Sequence, residues 1–86
     1  MSAPPRLDAD PETNLLSREL REQLLEAVDD LAPAQRLVIT LRDIVGLPAA
    51  EVCDLLEVTD VNQRVLLHRA RTRVRAALAP LVEANS

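Results

Sequence analysis

Five arginines lie close together near the end of this 86-residue chain, in a stretch (residues 61–80) that contains no acidic residue. They are Arg64, Arg69, Arg71, Arg73 and Arg75. A guanidinium group is planar and donates paired hydrogen bonds, so it can bind a phosphate or the edge of a guanine through two contacts at once. The stretch therefore predicts a surface that contacts nucleic acid.

The formal net charge of −4 does not exclude such a surface. Thirteen of the fourteen acidic residues precede residue 61, whereas residues 61–80 carry only positive charge. The local field, and not the net charge, governs contact with phosphates. The chain has no lysine. We attribute this to a genome-wide preference for arginine over lysine rather than to selection for guanidinium chemistry.

A short helix, a tight turn and a longer helix would position these arginines. Pro48 suits the first position of the short helix, where a missing N–H group loses no partner. The apolar residues Val52, Leu55 and Leu56 recur at helical spacing and predict its buried face.

The longer helix is predicted from Val61 to Leu78, with Pro80 as its stop. Thr59 or Asp60 supplies a side-chain oxygen that can cap its first N–H groups. Its buried face is predicted to contain Leu67, Ala70, Val74 and Leu78. Two helices joined by a turn of about three to four residues form a DNA-binding helix-turn-helix, whose second helix lies in the major groove.

Two further helices are predicted upstream. The first runs from near Pro11 or Thr13 to about Asp30, and its apolar stripe contains Leu16, Leu20, Leu24, Leu25, Val28 and Leu31. The second runs from about Pro33 to Val45, ends at Gly46, and buries Leu37, Val38, Leu41 and Ile44 or Val45. The predicted fold is all-α, a small four-helix domain over residues 11–80. Residues 1–10 are expected to be a flexible leader or the stub of a linker, and residues 81–86 a frayed tail.

The composition argues against several other functions. The chain has no Phe, Tyr or Trp, the residues on which single-stranded nucleic acids and many RNAs stack. Its single Gly excludes glycine-rich nucleotide loops, and neither a nucleophile motif nor metal-ligand spacing is present. We therefore expect no catalysis and no cofactor, with His68 an unsuitable metal ligand and Cys53 a buried small hydrophobe rather than a redox sensor. One cysteine and no apolar span predict a soluble cytoplasmic protein.

Four segments occur in a characteristic order: LAPAQR (31–36), LRDIVGL (41–47), LPAAEVC (47–53) and LHRARTRVR (67–75). Together they resemble region 4, the promoter-reading C-terminal domain, of bacterial RNA polymerase sigma factors of the extracytoplasmic-function group. The resemblance covers roughly residues 17 to 80. It departs at Glu57, where many relatives carry Gly, and at Gln63, where an apolar residue is common. The fold it implies is winged-helix-like but lacks a wing.

The resemblance also implies site residues. The base edges of the −35 promoter element would be read from the start of the longer helix, by Asp60, Val61, Asn62, Arg64, Val65 and His68. Thr59 is included in the predicted DNA-binding set. Arg69, Arg71, Arg73 and Arg75 would hold phosphates, which position the protein without reading sequence. Alternatives remain open: Asn62 as a helix cap, Val65 and Leu66 as core residues, and Arg73 and Arg75 as a solvated face.

The implied function is recognition of the −35 element in double-stranded promoter DNA. The implied partners are the flap of the RNA polymerase β subunit and an anti-sigma factor, and no membrane is expected. A sigma factor of this group carries an additional N-terminal domain, for which 86 residues leave no room, so the chain is suspected to be one domain of a longer protein. Two alternatives are a dimeric response-regulator type helix-turn-helix and a helical module that binds only protein.

Overall fold

The computed structural model describes residues 11–84, and the side chains of residues 15–84. The elements are α1 (Pro11–Asp29), α2 (Pro33–Ile39), a π-helical segment (Thr40–Val45), α3 (Ala49–Leu56) and α4 (Asp60–Ala84). No strand occurs between residues 11 and 84, so the predicted all-α fold with a helix-turn-helix is confirmed. Between residues 11 and 84 there is no candidate for a membrane-spanning helix. The leader over residues 1–10 lies outside the described residues, and the domain limits at 11 and 80 stay a prediction.

Helix α4 is the element against which α1, α2 and α3 all pack. Its predicted buried face is confirmed, since Leu67, Ala70 and Val74 are buried and Leu78 packs at the edge of the core. The rest of the core is also aliphatic: Ala27, Val28, Leu31, Val38 and Ile39. Ala70 is fully buried, and its small side chain lets neighbouring helices approach α4 closely.

Helix α1 has the predicted bounds within one residue, but its stripe is narrower than predicted. Val28 and Leu31 are buried and Leu24 packs against the core, whereas Leu25 is exposed. The fourth position of the face is taken by Ala27. Residues 24, 27, 28 and 31 follow the three-and-four spacing of one helical face, and Leu25 lies to its side.

The second predicted helix has the expected ends but not the expected interior. Its last six residues are π-helical, and the N–H groups of Gly46 and Leu47 both donate to the carbonyl of Leu41, at 3.1 and 2.8 Å. Gly46 has the left-handed backbone (φ 89°) expected of a helix stop. A wider turn changes which side chains face the core. The predicted burial of Leu37, Ile44 and Val45 is wrong, Leu41 is only half-buried, and Ile39 is buried instead.

Helix α3 begins at Ala49, and Pro48 precedes it in an extended conformation. Val52 is fully buried and Leu56 half-buried, but the predicted burial of Leu55 is wrong, because 61% of it is exposed. Helix α3 has only about two turns and contacts α4 along one side. Leu55 lies next to that side and is therefore open to solvent. Cys53 is likewise half-buried rather than buried.

The turn after α3 contains Glu57 in the left-handed conformation, at φ 55° and ψ 47°. The N–H of Val58 donates to the carbonyl of Cys53 at 3.1 Å, which is the six-to-one bond of a Schellman helix end. A left-handed backbone is unfavourable for a residue with a Cβ atom, so a glycine would suit this position better than Glu57 does.

Helix α4 passes through Pro80 and ends at Ala84, so the predicted stop at Pro80 is wrong. A proline inside a helix costs about 3 kcal/mol through a lost hydrogen bond and a steric clash. Ala77, Pro80 and Leu81 line a shallow hollow against Glu19 and Glu22 of α1. The helix nevertheless continues for four residues beyond Pro80, to Ala84.

We predict that Leu67→Ala and Leu55→Ala, the same chemical change, differ widely in effect. Leu67 is 5% exposed, so its truncation should lower the free energy of unfolding by about 2–5 kcal/mol through lost burial and a cavity. Leu55→Ala should cost less than about 1 kcal/mol because the side chain is already in solvent. Urea unfolding followed by circular dichroism measures both, and similar losses would contradict the exposure of Leu55.

We also predict that Glu57→Gly raises the free energy of unfolding, by up to about 1 kcal/mol, because it removes the left-handed strain at the turn. Glu51→Gly is the matched control, since Glu51 lies in the first turn of α3 with ordinary helical geometry. That substitution should instead destabilise by roughly 1 kcal/mol. Thermal unfolding of both variants separates the two cases, and destabilisation by Glu57→Gly would show that the turn is not strained.

Candidate nucleic-acid interface

The start of α4 is fixed by a side-chain cap. The hydroxyl oxygen of Thr59 accepts a hydrogen bond from the backbone N–H of Asn62 at 3.1 Å. Of the two predicted caps, the structure uses Thr59. The side chain of Asn62 does not act as the cap and is exposed. Asp60 is the first residue of the helix, where a carboxylate interacts favourably with the helix dipole.

The carboxylate of Asp60 is engaged through both of its oxygens. Arg64 forms a salt bridge with Oδ2 at 2.7 Å, one helical turn further on. The amide nitrogen of Gln63 donates to Oδ1 at 3.3 Å. The Arg64 side chain is nevertheless 76% exposed, so its remaining N–H groups face solvent.

Gln63 is the one buried polar side chain among the described residues, and only 1% of it is exposed. Its amide oxygen accepts a hydrogen bond from Nε of Arg42 at 3.2 Å. Nη1 of the same guanidinium donates to the carbonyl oxygen of Leu47 at 3.0 Å. Arg42 therefore connects the π-helical segment, the loop before α3 and the first turn of α4.

Arg71 and Asp43 form a bidentate ion pair, with Nε at 2.7 Å from Oδ2 and Nη2 at 2.6 Å from Oδ1. The hydrogen bonds from Arg71 lower the pKa of Asp43 below its ordinary value, although partial burial acts in the opposite direction. The same contact raises the pKa of Arg71 further. The guanidinium predicted to hold a phosphate thus already has an anionic partner within the domain.

An open groove of about 420 Å³ collects one set of basic side chains. It lies between the α4 surface and the segments around Arg42 and Ala49. The charged and polar side chains along it are Arg42, Asp60, Gln63, Arg64, His68, Arg71 and Arg75. Four guanidiniums from two different segments of the chain therefore share one surface.

The other two arginines of α4 belong to a second surface. Arg69 and Arg73 line a smaller hollow together with Gln35, His68 and Thr72. Within the described residues, the buried amide oxygen of Gln35 has no hydrogen-bond partner. The predicted phosphate contacts are thus divided between the two sides of His68.

Val65 and Leu66 are also candidate core residues, and the structure supports this for Leu66 only. Val65 is exposed, whereas Leu66 is half-buried and packs against the core. The exposed members of the predicted site are Thr59, Asp60, Val61, Asn62, Arg64, Val65, His68, Arg69, Arg73 and Arg75, and Arg71 is half-buried. Their roles in DNA contact stay predictions.

Sequence reasoning missed Arg42, Asp43 and Gln63 as members of this surface. Their contacts join residues 21 and 28 positions apart, and no local spacing indicates such pairs. The Asp60–Arg64 pair has the (i, i+4) spacing of a helical ion pair and could have been found. No group of three or more potential metal ligands occurs within residues described by the structure.

Comparisons with known proteins all indicate the same family. A family model described as "Sigma-70, region 4" matches residues 21–74. The ECF RNA polymerase sigma factor SigG of Mycobacterium tuberculosis (strain H37Rv) is 38% identical over 68 residues, which are 78% of this chain and 18% of that protein. The ECF RNA polymerase sigma-E factor of Escherichia coli (strain K12) is 30% identical over 74 residues, or 86% of this chain and 39% of that protein. The chain thus spans well under half the length of these relatives.

We predict that Asp43→Asn destabilises the domain at neutral pH, by no more than about 1 kcal/mol because the pair is partly exposed. A lowered pKa in the folded state means that the charged carboxylate stabilises the fold above its unfolded pKa, about 3.9. This contribution is lost as the pH falls through the folded pKa. The difference between wild type and Asp43→Asn should therefore shrink from about pH 4 downward.

Unfolding free energies across a pH series measure this difference. Arg71→Gln removes the same pair from its other side, so the double variant should lose less than the sum of the two single losses. Strict additivity at pH 7 would show that the two side chains do not interact in solution.

Proposed function

The chain belongs to the sigma-70 region 4 family, and from this membership we propose that it recognises the −35 element of promoters as a domain of an alternative sigma factor. The observation that carries the proposal is the groove in which Arg42, Arg64, Arg71 and Arg75 come together beside α4. Such factors act in transcription initiation without a catalytic step of their own, and we propose the same of this domain.

The exposed start of α4 supports direct reading of bases. The second helix of a helix-turn-helix enters the major groove with its N-terminal residues nearest the base edges. Asn62, Arg64 and Val65 are exposed there. An asparagine pairs with adenine, an arginine with guanine, and a valine contacts a thymine methyl. His68, one turn further, extends the same surface.

The remaining arginines suit phosphate contact. Arg69, Arg73 and Arg75 are exposed along α4 beyond its first turns. Charged contacts to phosphate oxygens hold a protein in register on the duplex but carry no sequence information. Arg71 would have to exchange Asp43 for a phosphate, and we assign it a smaller share of the affinity.

An apolar groove supports docking on RNA polymerase. It lies between α1, the end of α2, the π-helical segment and α4. Its lining is mostly apolar, with three charged side chains: Leu24, Val28, Ile39, Ile44 and Val74, and Asp43, Arg71 and Arg75. We propose that this face receives the flap of the β subunit, in the cytoplasm, and that an anti-sigma factor can cover it. We infer both partners from membership of the family.

Of the two alternative functions, the findings favour only one. The response-regulator type helix-turn-helix is set aside, because the family match is to sigma region 4 over most of the chain. A module that binds only protein is favoured by one observation, the exposure of Leu37, Leu55 and Val61. The following experiment separates that module from a DNA reader.

We predict that Arg64→Glu weakens binding to a preferred promoter duplex at least tenfold, because one good base contact contributes about 1–3 kcal/mol and the reversed charge adds repulsion. Fluorescence anisotropy against duplexes selected from a randomised pool by the wild-type chain gives the affinity. Arg75→Glu, in the same groove but further along α4, should weaken selected and random duplexes alike, and lower the salt-dependence slope by about one or more.

Arg18→Glu is the matched control, because Arg18 is exposed on α1 and belongs to neither basic surface. It should leave selective binding nearly unchanged. If all three variants bind selected duplexes as the wild type does, with helicity intact, the domain does not read DNA through α4 and the protein-binding alternative stands.

A further inference from the structure

We propose that Arg42 and Gln63 are positioning residues that set the orientation of Asp60 and, through it, of Arg64. They form one hydrogen-bonded chain that runs from the carbonyl of Leu47 to the exposed guanidinium of Arg64. This inference rests on the proposed function, because its consequence is the ability of Arg64 to discriminate between bases. Arg42 also lines the basic groove, but neither Arg42 nor Gln63 is assigned a contact to a base.

The first step is the burial of Gln63. A primary amide that is removed from water without partners costs free energy of the order of several hydrogen bonds. Here both ends of the amide are satisfied, the oxygen by Arg42 and the nitrogen by Asp60. The chemistry also fixes which end is which, since a guanidinium only donates and a carboxylate only accepts. A flipped amide would lose both bonds at once.

The second step is the position of Asp60. Gln63 holds Oδ1, so the carboxylate cannot rotate freely, and Oδ2 is turned toward Arg64 at 2.7 Å. An isolated pair with this exposure would be weak and mobile. Attached to a buried amide, the carboxylate becomes a fixed acceptor at the start of α4.

The third step is the effect on Arg64. An arginine side chain carries considerable rotamer entropy, and part of it is already lost before DNA binds when the guanidinium is held by Asp60. Its charge is also partly compensated, which lowers its attraction to any phosphate. Both effects favour reading of a specific base over general affinity for DNA.

The fourth step links this arrangement to the helix-turn-helix. Arg42 belongs to the π-helical segment and also binds the carbonyl of Leu47, just before α3. The positions of the loop, the π-helical segment and the first turn of α4 therefore depend on one guanidinium. Substitution of Arg42 should lower discrimination as substitution of Gln63 does, and it should also weaken binding to every duplex because the groove loses a positive charge.

The test uses Gln63→Met, which keeps the volume and removes both hydrogen bonds of the amide, in the full 86-residue chain. The measured quantity is discrimination, the ratio of affinities for wild-type-selected duplexes and for the unselected random pool. We expect discrimination to fall about three- to tenfold, as for the net loss of one ordinary hydrogen bond, with affinity for the random pool nearly unchanged. Gln23→Met, on the exposed face of α1, is the matched control and should change neither.

A second variant keeps the test independent of stability. Asp60→Asn retains an oxygen for Gln63 but removes the charge that holds Arg64. It should bind the random pool about two- to fivefold more tightly, because one negative charge near phosphates is lost, and still discriminate less. The Nη–H signals of Arg64 in NMR spectra, which include the Nη2 group that contacts Asp60, should exchange faster with water in both Asp60→Asn and Gln63→Met than in the wild type.

Unchanged discrimination in Gln63→Met, with an unchanged Arg64 signal, overturns the inference and leaves Gln63 as a packing residue. Equal loss of affinity for selected and random duplexes overturns it as well, because that pattern indicates damage to the whole surface. Failure of the proposed function is distinguishable, since the wild-type chain itself would then select no duplex from the pool.

Discussion

The arrangement of this domain depends on a single buried amide at the junction of its helices. Gln63 occupies a position on the core face of α4, four residues before Leu67, yet its side chain is polar. An aliphatic core cannot accept it without hydrogen bonds. Arg42 and Asp60 supply them from two directions, so the first turn of α4 has one orientation relative to the segment before α3. Apolar contacts alone would allow more freedom there, because they are not directional.

Electrostatics explains how an acidic chain can carry a basic surface. Two acids are paired with arginines of α4 within the domain: Asp60 with Arg64, and Asp43 with Arg71. Each pair fixes a guanidinium in place and reduces its charge as seen from a distance. A duplex would therefore meet a positive field that is moderate overall and spread over the two basic surfaces of α4. The preference of such a surface among ligands depends more on the positions of its guanidiniums than on its total charge.

The π-helical segment has a structural consequence that reaches the same groove. The segment follows the buried Ile39 and leaves Ile44 and Val45 in solvent. It also places Arg42 toward Gln63 and Asp43 toward Arg71, two adjacent residues with partners on different turns of α4. Irregular turns inside helices often occur where a protein positions functional groups. Here the irregularity also contributes Ile44 to the apolar groove beside α1.

The sequence by itself determined the helices, most of their limits and the buried face of α4, because these follow from periodicity, capping and the backbone limits of Gly and Pro. It also indicated the arginines of α4, since their spacing is local. The tertiary structure alone decided that α4 continues through Pro80, that Leu25, Leu37 and Leu55 are exposed, and that Arg71 is paired with Asp43. Each of these depends on contacts between residues far apart in the chain. Local patterns carry no information on such contacts, because the free energy that selects them arises only when the helices pack.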